Sequence, residues 1–219
     1  MTLSILTVPG YRGSDEHHWQ TWLEQQSGQC TRVQNIDWHK PVLHHWSREI
    51  IRTLDSSPQP LLIVAHSYGC LASVVAAEQR PHKVAGLILA APASPQRFGL
   101  FGRRHSQQQP DIARYLPQSL HTHGVLIASR NDPWMDFRHA WAWSKRWGLT
   151  FVDAGHAGHI NSESGHGAWP LIREITDAVH HSVMQCRRGK PAMLSYPVFA
   201  SAAAQQQGPQ TQRSRAPLH

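Results

Sequence analysis

The sequence predicts an α/β protein, a doubly wound and mainly parallel sheet of about six strands with helices on both faces. Three observations carry that expectation. The run Leu61-Leu62-Ile63-Val64-Ala65 is short, continuously apolar and preceded by Pro60, as expected of a strand covered on both faces. Similar runs alternate with segments of helical period, which calls for crossover connections between parallel strands. The length of 219 residues suits one domain with a full core.

Taken in order, strands are expected at residues 3–8, 32–36, 61–65, 84–90, 125–128 and 150–152. Between them, Trp19, Trp22, Leu23 and Gln26 keep helical spacing, as do Leu43, Trp46, Ile50 and Leu54, and then Ala140, Trp143 and Trp147. At these spacings most of the nine tryptophans read as packing residues rather than as platforms for stacked bases. The helix-compatible stretch after Gly69 ends before Pro81. Residues 92–123 form a long connection rich in Pro, Gln and Arg, with Phe98, Leu100, Phe101 and Tyr115, and read as a lid-like segment over the site. One domain is expected over residues 1–183. Residues 184–219 turn to Gln, Ala, Pro and Arg without enough apolar surface to bury and read as a disordered basic tail.

Composition excludes several classes of function. The formal net charge is +7, but Arg187, Arg188, Lys190, Arg213 and Arg215 supply five of those charges, which leaves the rest of the chain near +2. The high isoelectric point therefore describes the tail, and no nucleic-acid partner is expected. Cys30, Cys70 and Cys186 are odd in number and scattered, giving neither a disulfide framework nor metal-ligand spacing; a reducing, cytoplasmic setting follows as an expectation. The first eight residues lack the basic region of a secretory signal, and no apolar run is long enough to span a membrane.

The chemistry concentrates at Ala65-His66-Ser67-Tyr68-Gly69, where a serine stands in a one-residue corner between a buried strand and a helix. So tight a corner presses together the residues two before and two after the serine, and here both are small. An N-cap serine on an ordinary strand-to-helix turn is the plainer alternative. A serine nucleophile needs a histidine base, which needs a carboxylate to set its tautomer, and on this architecture they follow in the order serine, acid, histidine beyond strand ends. Asp132 lies in Ser129-Arg130-Asn131-Asp132-Pro133, just after the strand at 125–128, although an aspartate before proline is also a common turn residue. For the base, His156 and His159 compete in Gly155-His156-Ala157-Gly158-His159, with His166 nearby. The two backbone donors of an oxyanion hole are expected at Tyr68 and, in the loop Pro9-Gly10-Tyr11-Arg12-Gly13, at Tyr11. That loop lacks any full nucleotide-binding fingerprint.

Five blocks together resemble one family: Val8-Pro9-Gly10-Tyr11, Ala65-His66-Ser67-Tyr68-Gly69-Cys70, Ala91-Pro92-Ala93, Ala128-Ser129-Arg130-Asn131-Asp132-Pro133, and Gly158-His159-Ile160-Asn161-Ser162-Glu163-Ser164-Gly165 with Gly167 and Trp169-Pro170 following. They are similar to the small α/β-hydrolases grouped with YdeN and retinoblastoma-binding protein 9. The resemblance runs from about residue 3 to residue 181 and implies a reduced α/β-hydrolase fold. It implies Ser67 as nucleophile, Asp132 as acid and His159 as base, and makes alanine at position 65 ordinary. It does not cover the tail.

The reading is a serine hydrolase that cleaves a carboxylic ester of a small molecule, with an amide or thioester as the alternative bond, through an acyl-enzyme and without cofactor or metal. The 17 histidines raise a metal hydrolase as one rival, but neighbouring pairs such as His44-His45 point about 100° apart on a helix and chelate poorly. The other rival is an interaction module that keeps the hydrolase fold without its chemistry, its protein partner unknown.

Overall fold

The structure, a computed structural model, describes residues 4–187; the expected tail lies outside the described residues from residue 188 onward. Eight strands and five α-helices follow one another: β1 Ile5–Val8, α1 Trp19–Gln26, β2 Cys30–Arg32, α2 Leu43–Ser56, β3 Leu61–His66, α3 Tyr68–Gln79, β4 Val84–Ala90, β5 Phe98–Gly99, β6 Gly102–Arg103, β7 Gly124–Ala128, α4 Phe137–Trp147, β8 Thr150–Asp153 and α5 Pro170–Arg187. Six strands form one sheet in the order β2-β1-β3-β4-β7-β8, with every neighbouring pair parallel. Strands β5 and β6 make a small antiparallel hairpin of their own.

The sheet is buried on both faces by a period-two division of its side chains. Leu6, Val8, Ile63, Ala65, Leu87, Leu89, Leu126 and Ala128 pack with α2, α3 and α4. Ile5, Leu62, Val64, Ile88, Ala90, Val125 and Ile127 pack with α1 and α5. Continuous apolar runs thus become two cores, one on each side of a sheet.

Two boundaries differ from expectation. The second strand is Cys30–Arg32 rather than residues 32–36, because Cys30 to Arg32 pair with Ile5 to Thr7 and Asn35 then takes a left-handed φ of 63° that ends the extended run. Helix α5 runs on to Arg187, past the expected domain end at residue 183. Its buried stripe, Ile172, Ile175, Val179 and Val183 at helical spacing, ends at that boundary, and the helix continues one turn beyond it.

Residues 92–123 are anchored rather than draped. Phe98, Ile112 and Leu116 are buried in the core beside α2, α3 and α4, while the hairpin tip leaves Phe101 91% exposed.

The strand order places the opening for a site. Strands β2 and β3 lie on opposite sides of β1, so the loops leaving the carboxyl ends of β1 and β3 diverge and open a crevice. Gln20 of α1 is fully buried beneath it and donates from Nε2 to the carbonyls of Val8 and Val64, at 3.2 and 3.0 Å, while its Oε1 accepts from Ser14. One side chain thereby satisfies strand-end carbonyls that the divergence would otherwise strand.

Candidate functional site

At the carboxyl end of β3 the chain turns into α3 through Ser67, whose φ of 53° and ψ of −122° are strained for a non-glycine residue at a cost of about 1–3 kcal/mol. Close packing holds it there. A Cβ built on Gly69 would lie 2.3 Å from the Pro9 carbonyl oxygen and 2.5 Å from that of Val8, and one on Gly10 would lie 2.6 Å from Ser67 Cβ. Neither glycine has room for a methyl group. Ala65, fully buried in β3, keeps its methyl inside the core, so alanine is accommodated at that position.

The loops after β7 and β8 bring two further side chains to the serine. His159 Nε2 lies 2.8 Å from Ser67 Oγ, and its Nδ1 lies 2.9 and 3.0 Å from the two Asp132 oxygens. A carboxylate can only accept, so Nδ1 carries the proton and Nε2 offers its lone pair to the serine hydroxyl. Asp132 also accepts the Trp134 amide at 2.8 Å, and its side chain is 2% exposed. Ser67, Asp132 and His159 therefore form one hydrogen-bonded chain. The competing His156 is exposed, and His166 is buried elsewhere, with Nδ1 donating to the Ser164 carbonyl.

Of the backbone positions expected to meet an oxyanion, Tyr68 follows the serine in the chain, and Tyr11 follows Gly10, which packs against Ser67. Tyr68 opens α3, so its amide has no intrahelical acceptor, and its side chain is buried with the hydroxyl donating to the Pro41 carbonyl at 2.8 Å. Tyr11 lies in the turn closed by the Gly13 amide on the Gly10 carbonyl, and its own amide donates to nothing among the described residues.

The loop that carries His159 is tied from several sides by residues the sequence did not single out. Ser129 Oγ accepts the Ala157 amide at 2.9 Å, and Asn131 Oδ1 accepts the Gly158 amide at 2.8 Å. His66 Nε2 donates to the His159 carbonyl at 2.9 Å, and Trp19 Nε1 donates to the next carbonyl, that of Ile160, at 2.8 Å. Ile160 itself has a φ of 48°, which this framework must impose on a β-branched residue. Ser129 and Asn131 sit in the block that holds Asp132, the one signal that could have marked them.

Burial keeps the supporting histidines neutral. Desolvation drives the His66 pKa well below its ordinary 6.5, with the neighbouring His18 and His159 adding to the effect. Desolvation likewise lowers His18 to about 4, against a partial counter-effect from Asp15. His18 Nδ1 accepts the Gln20 amide as the cap of α1.

These groups open onto a cleft of about 450 Å³ whose walls include Tyr11, Trp38, His66, Ser67, Trp134 and His159. From residues 92–123, Arg103 reaches it. No group of three or more His, Cys, Asp or Glu side chains suited to a metal occurs among the described residues, and no helix among them is long and apolar enough to cross a membrane.

Comparison with known proteins places the arrangement in context. The profile of a family described as serine hydrolase matches residues 5–178. A putative YdeN-like hydrolase from Pectobacterium atrosepticum is 34% identical, with 81% of this chain and 92% of that one covered and a TM-score of 0.70. The ydeN gene product of B. subtilis is 20% identical over 82% of this chain and all of that one, with a TM-score of 0.65. Est1E from Butyrivibrio proteoclasticus, solved with ferulic acid, shares the fold at 14% identity, with coverage of 84% and 89% and a TM-score of 0.60. No curated protein matches the chain.

Proposed function

Because the chain belongs to the serine hydrolase family, with an α/β-hydrolase fold, we propose that it cleaves a carboxylic ester of a small molecule through an acyl-enzyme on Ser67. The observation that carries this reading is the hydrogen-bonded chain from Asp132 through His159 to Ser67 at the wall of the cleft.

Each step uses groups already in contact. His159 Nε2 takes the Ser67 proton as Oγ attacks the ester carbonyl carbon, and Asp132 stabilises the imidazolium. The amides of Tyr68 and Tyr11 receive the negative charge on the tetrahedral oxygen, aided by the amino end of α3. Collapse breaks the bond to the alcohol, which leaves with the proton from His159. Water then attacks the acyl carbon with His159 as base, releasing the acid and restoring the serine hydroxyl. The neutral His66, donating to the His159 carbonyl, holds the base loop without adding a charge beside the imidazolium.

The test is labelling by a fluorophosphonate probe together with turnover of short p-nitrophenyl esters. Wild type is expected to label and turn over; Ser67→Ala is expected to lose labelling and to fall in kcat by about 10⁶-fold, a loss of the size known for a triad serine. Equal labelling of both proteins overturns the reading. A folded wild type that neither labels nor turns over esters instead favours an interaction module on a hydrolase fold.

A further inference from the structure

Three arginines line the cleft, Arg12, Arg32 and Arg103, and Arg97, Arg104 and Arg130 lie outside its lining. Arg32 donates to Glu24, to the Ser14 carbonyl and to Thr21. Arg97 donates to the Pro133 carbonyl, Arg104 to the carbonyls of Gln96 and Gln107, and Arg130 to Asp153. Arg103 and Arg12 differ, since both are exposed on the cleft wall and neither guanidinium has a hydrogen-bond or ion-pair partner among the described residues. Aromatic faces hold them instead. Arg103 Cζ lies 5.9 Å from the Tyr11 ring centre and 5.4 Å from that of Trp134, and Arg12 Cζ lies 5.6 Å from the Tyr11 ring centre. A guanidinium attracted to a ring face uses none of its N–H donors in that contact and keeps them free to fork onto an anion.

The position matters as much as the charge. Tyr11 is the residue whose amide faces the reacting centre in the reading above, and both arginines gather on its ring. The acids of the same cleft are placed differently. Asp15 already takes the Ser162 hydroxyl at 2.6 Å and the His17 amide at 2.8 Å, and Glu163 is an exposed residue of the loop beyond His159. The cations beside the Tyr11 and Trp134 rings are Arg12, Arg97 and Arg103, of which Arg97 is bonded to the Pro133 carbonyl.

We propose that the substrate of this site is an anionic ester, with a carboxylate or phosphate seated between Arg103 and Arg12 beside Tyr11. This rests on the ester-hydrolase reading and adds the class of substrate. A neutral acyl ester of equal length would leave both guanidinium edges in water and gain nothing from them, whereas a carboxylate gains charge-assisted, forked hydrogen bonds.

Matched pairs of substrates test it. p-Nitrophenyl hemiglutarate against p-nitrophenyl valerate places the anion on the acyl side, and 4-acetoxybenzoate against its methyl ester places it on the leaving side. In one pair at least, wild type is expected to favour the anionic member in kcat/KM, mainly through KM. The double variant Arg12→Ala/Arg103→Ala should lower that anionic-to-neutral ratio about 10- to 100-fold, as loss of one or two charge-assisted contacts implies. Arg103→Glu should invert it, and Arg114→Ala, away from the cleft, should leave it unchanged. Neutral esters turned over by wild type with a ratio that none of these variants moves overturn the anionic class while the hydrolase reading stands. Absence of both turnover and fluorophosphonate labelling overturns both. Glutarate and inorganic phosphate, titrated into Ser67→Ala by calorimetry, supply a readout apart from catalysis. Binding lost in the double variant supports the proposal, and no binding by either protein counts against it.

Discussion

The serine corner and the histidine loop face each other across 2.8 Å, yet they are held by opposite means. Ser67 is fixed by sterics: Gly10 and Gly69 allow backbone and serine to close to distances that any Cβ would forbid. His159 is fixed by hydrogen bonds drawn from β3, α1 and the loop after β7, through His66, Trp19, Ser129 and Asn131. A packed corner fails abruptly when overfilled, whereas a loop tied by several bonds should yield by degrees.

Among changes that leave Ser67 in place, the largest expected effect comes at the carboxylate behind His159. Asp132→Asn keeps the shape but offers His159 a donor, so kcat should fall about 10⁴-fold with folding preserved, as removal of the carboxylate from such a triad does elsewhere. Ester turnover and circular dichroism check both halves. Next, Gly69→Ala should cost about 3 kcal/mol or more in urea unfolding, because its new methyl meets backbone oxygens that have little room to retreat. Gly10→Ala meets only Ser67 and its neighbours, and should instead lower kcat/KM by about 10²-fold through displacement of the nucleophile. Normal activity in Gly10→Ala would break the steric account of the corner.

On the hydrogen-bonded side, Asn131→Ala removes one solvent-exposed tie to the base loop and should cost about 0.5–1.5 kcal/mol, with a loss of activity smaller than that of Gly10→Ala. A loss as severe as that of Asp132→Asn would mean the loop hangs on one bond and not on several. The remaining effect is graded by pH. His18 and His66 have folded pKa values depressed by burial, so the unfolded chain takes up protons first on acidification. Their contribution is complete above about pH 6.5 and declines below it by about 1.4 kcal/mol per pH unit for each histidine. For His18 the decline levels off near its folded value of about 4. Urea unfolding between pH 7 and pH 5 measures the slope, which His18→Gln should reduce.

Much of this molecule was legible beforehand because its signals are local. The strand at 61–65 announces itself by continuous apolar side chains, and Ser67 by the small residues either side. Asp132 and a histidine loop could be placed beyond successive strand ends because the order of elements follows from alternation, and the family resemblance then selected His159 over His156. Even the second strand was misplaced only by a few residues, where Asn35 adopts a conformation that no period records.

What the sequence determined by itself was the layered sheet, the corner at Ser67 and the chain order of Ser67, Asp132 and the histidine loop, all of which rest on periodicity and neighbouring residues. The tertiary structure decided which side chains support them and which stay free. Gln20 reaches Val64 across 44 positions, His66 reaches His159 across 93 and Trp19 reaches Ile160 across 141. It also decided that Arg104 and Arg97 have acceptors while Arg103 rests on two rings at the cleft. A hydrogen bond between distant residues leaves no pattern in either segment, since its direction and partner exist only once the chain has closed on itself.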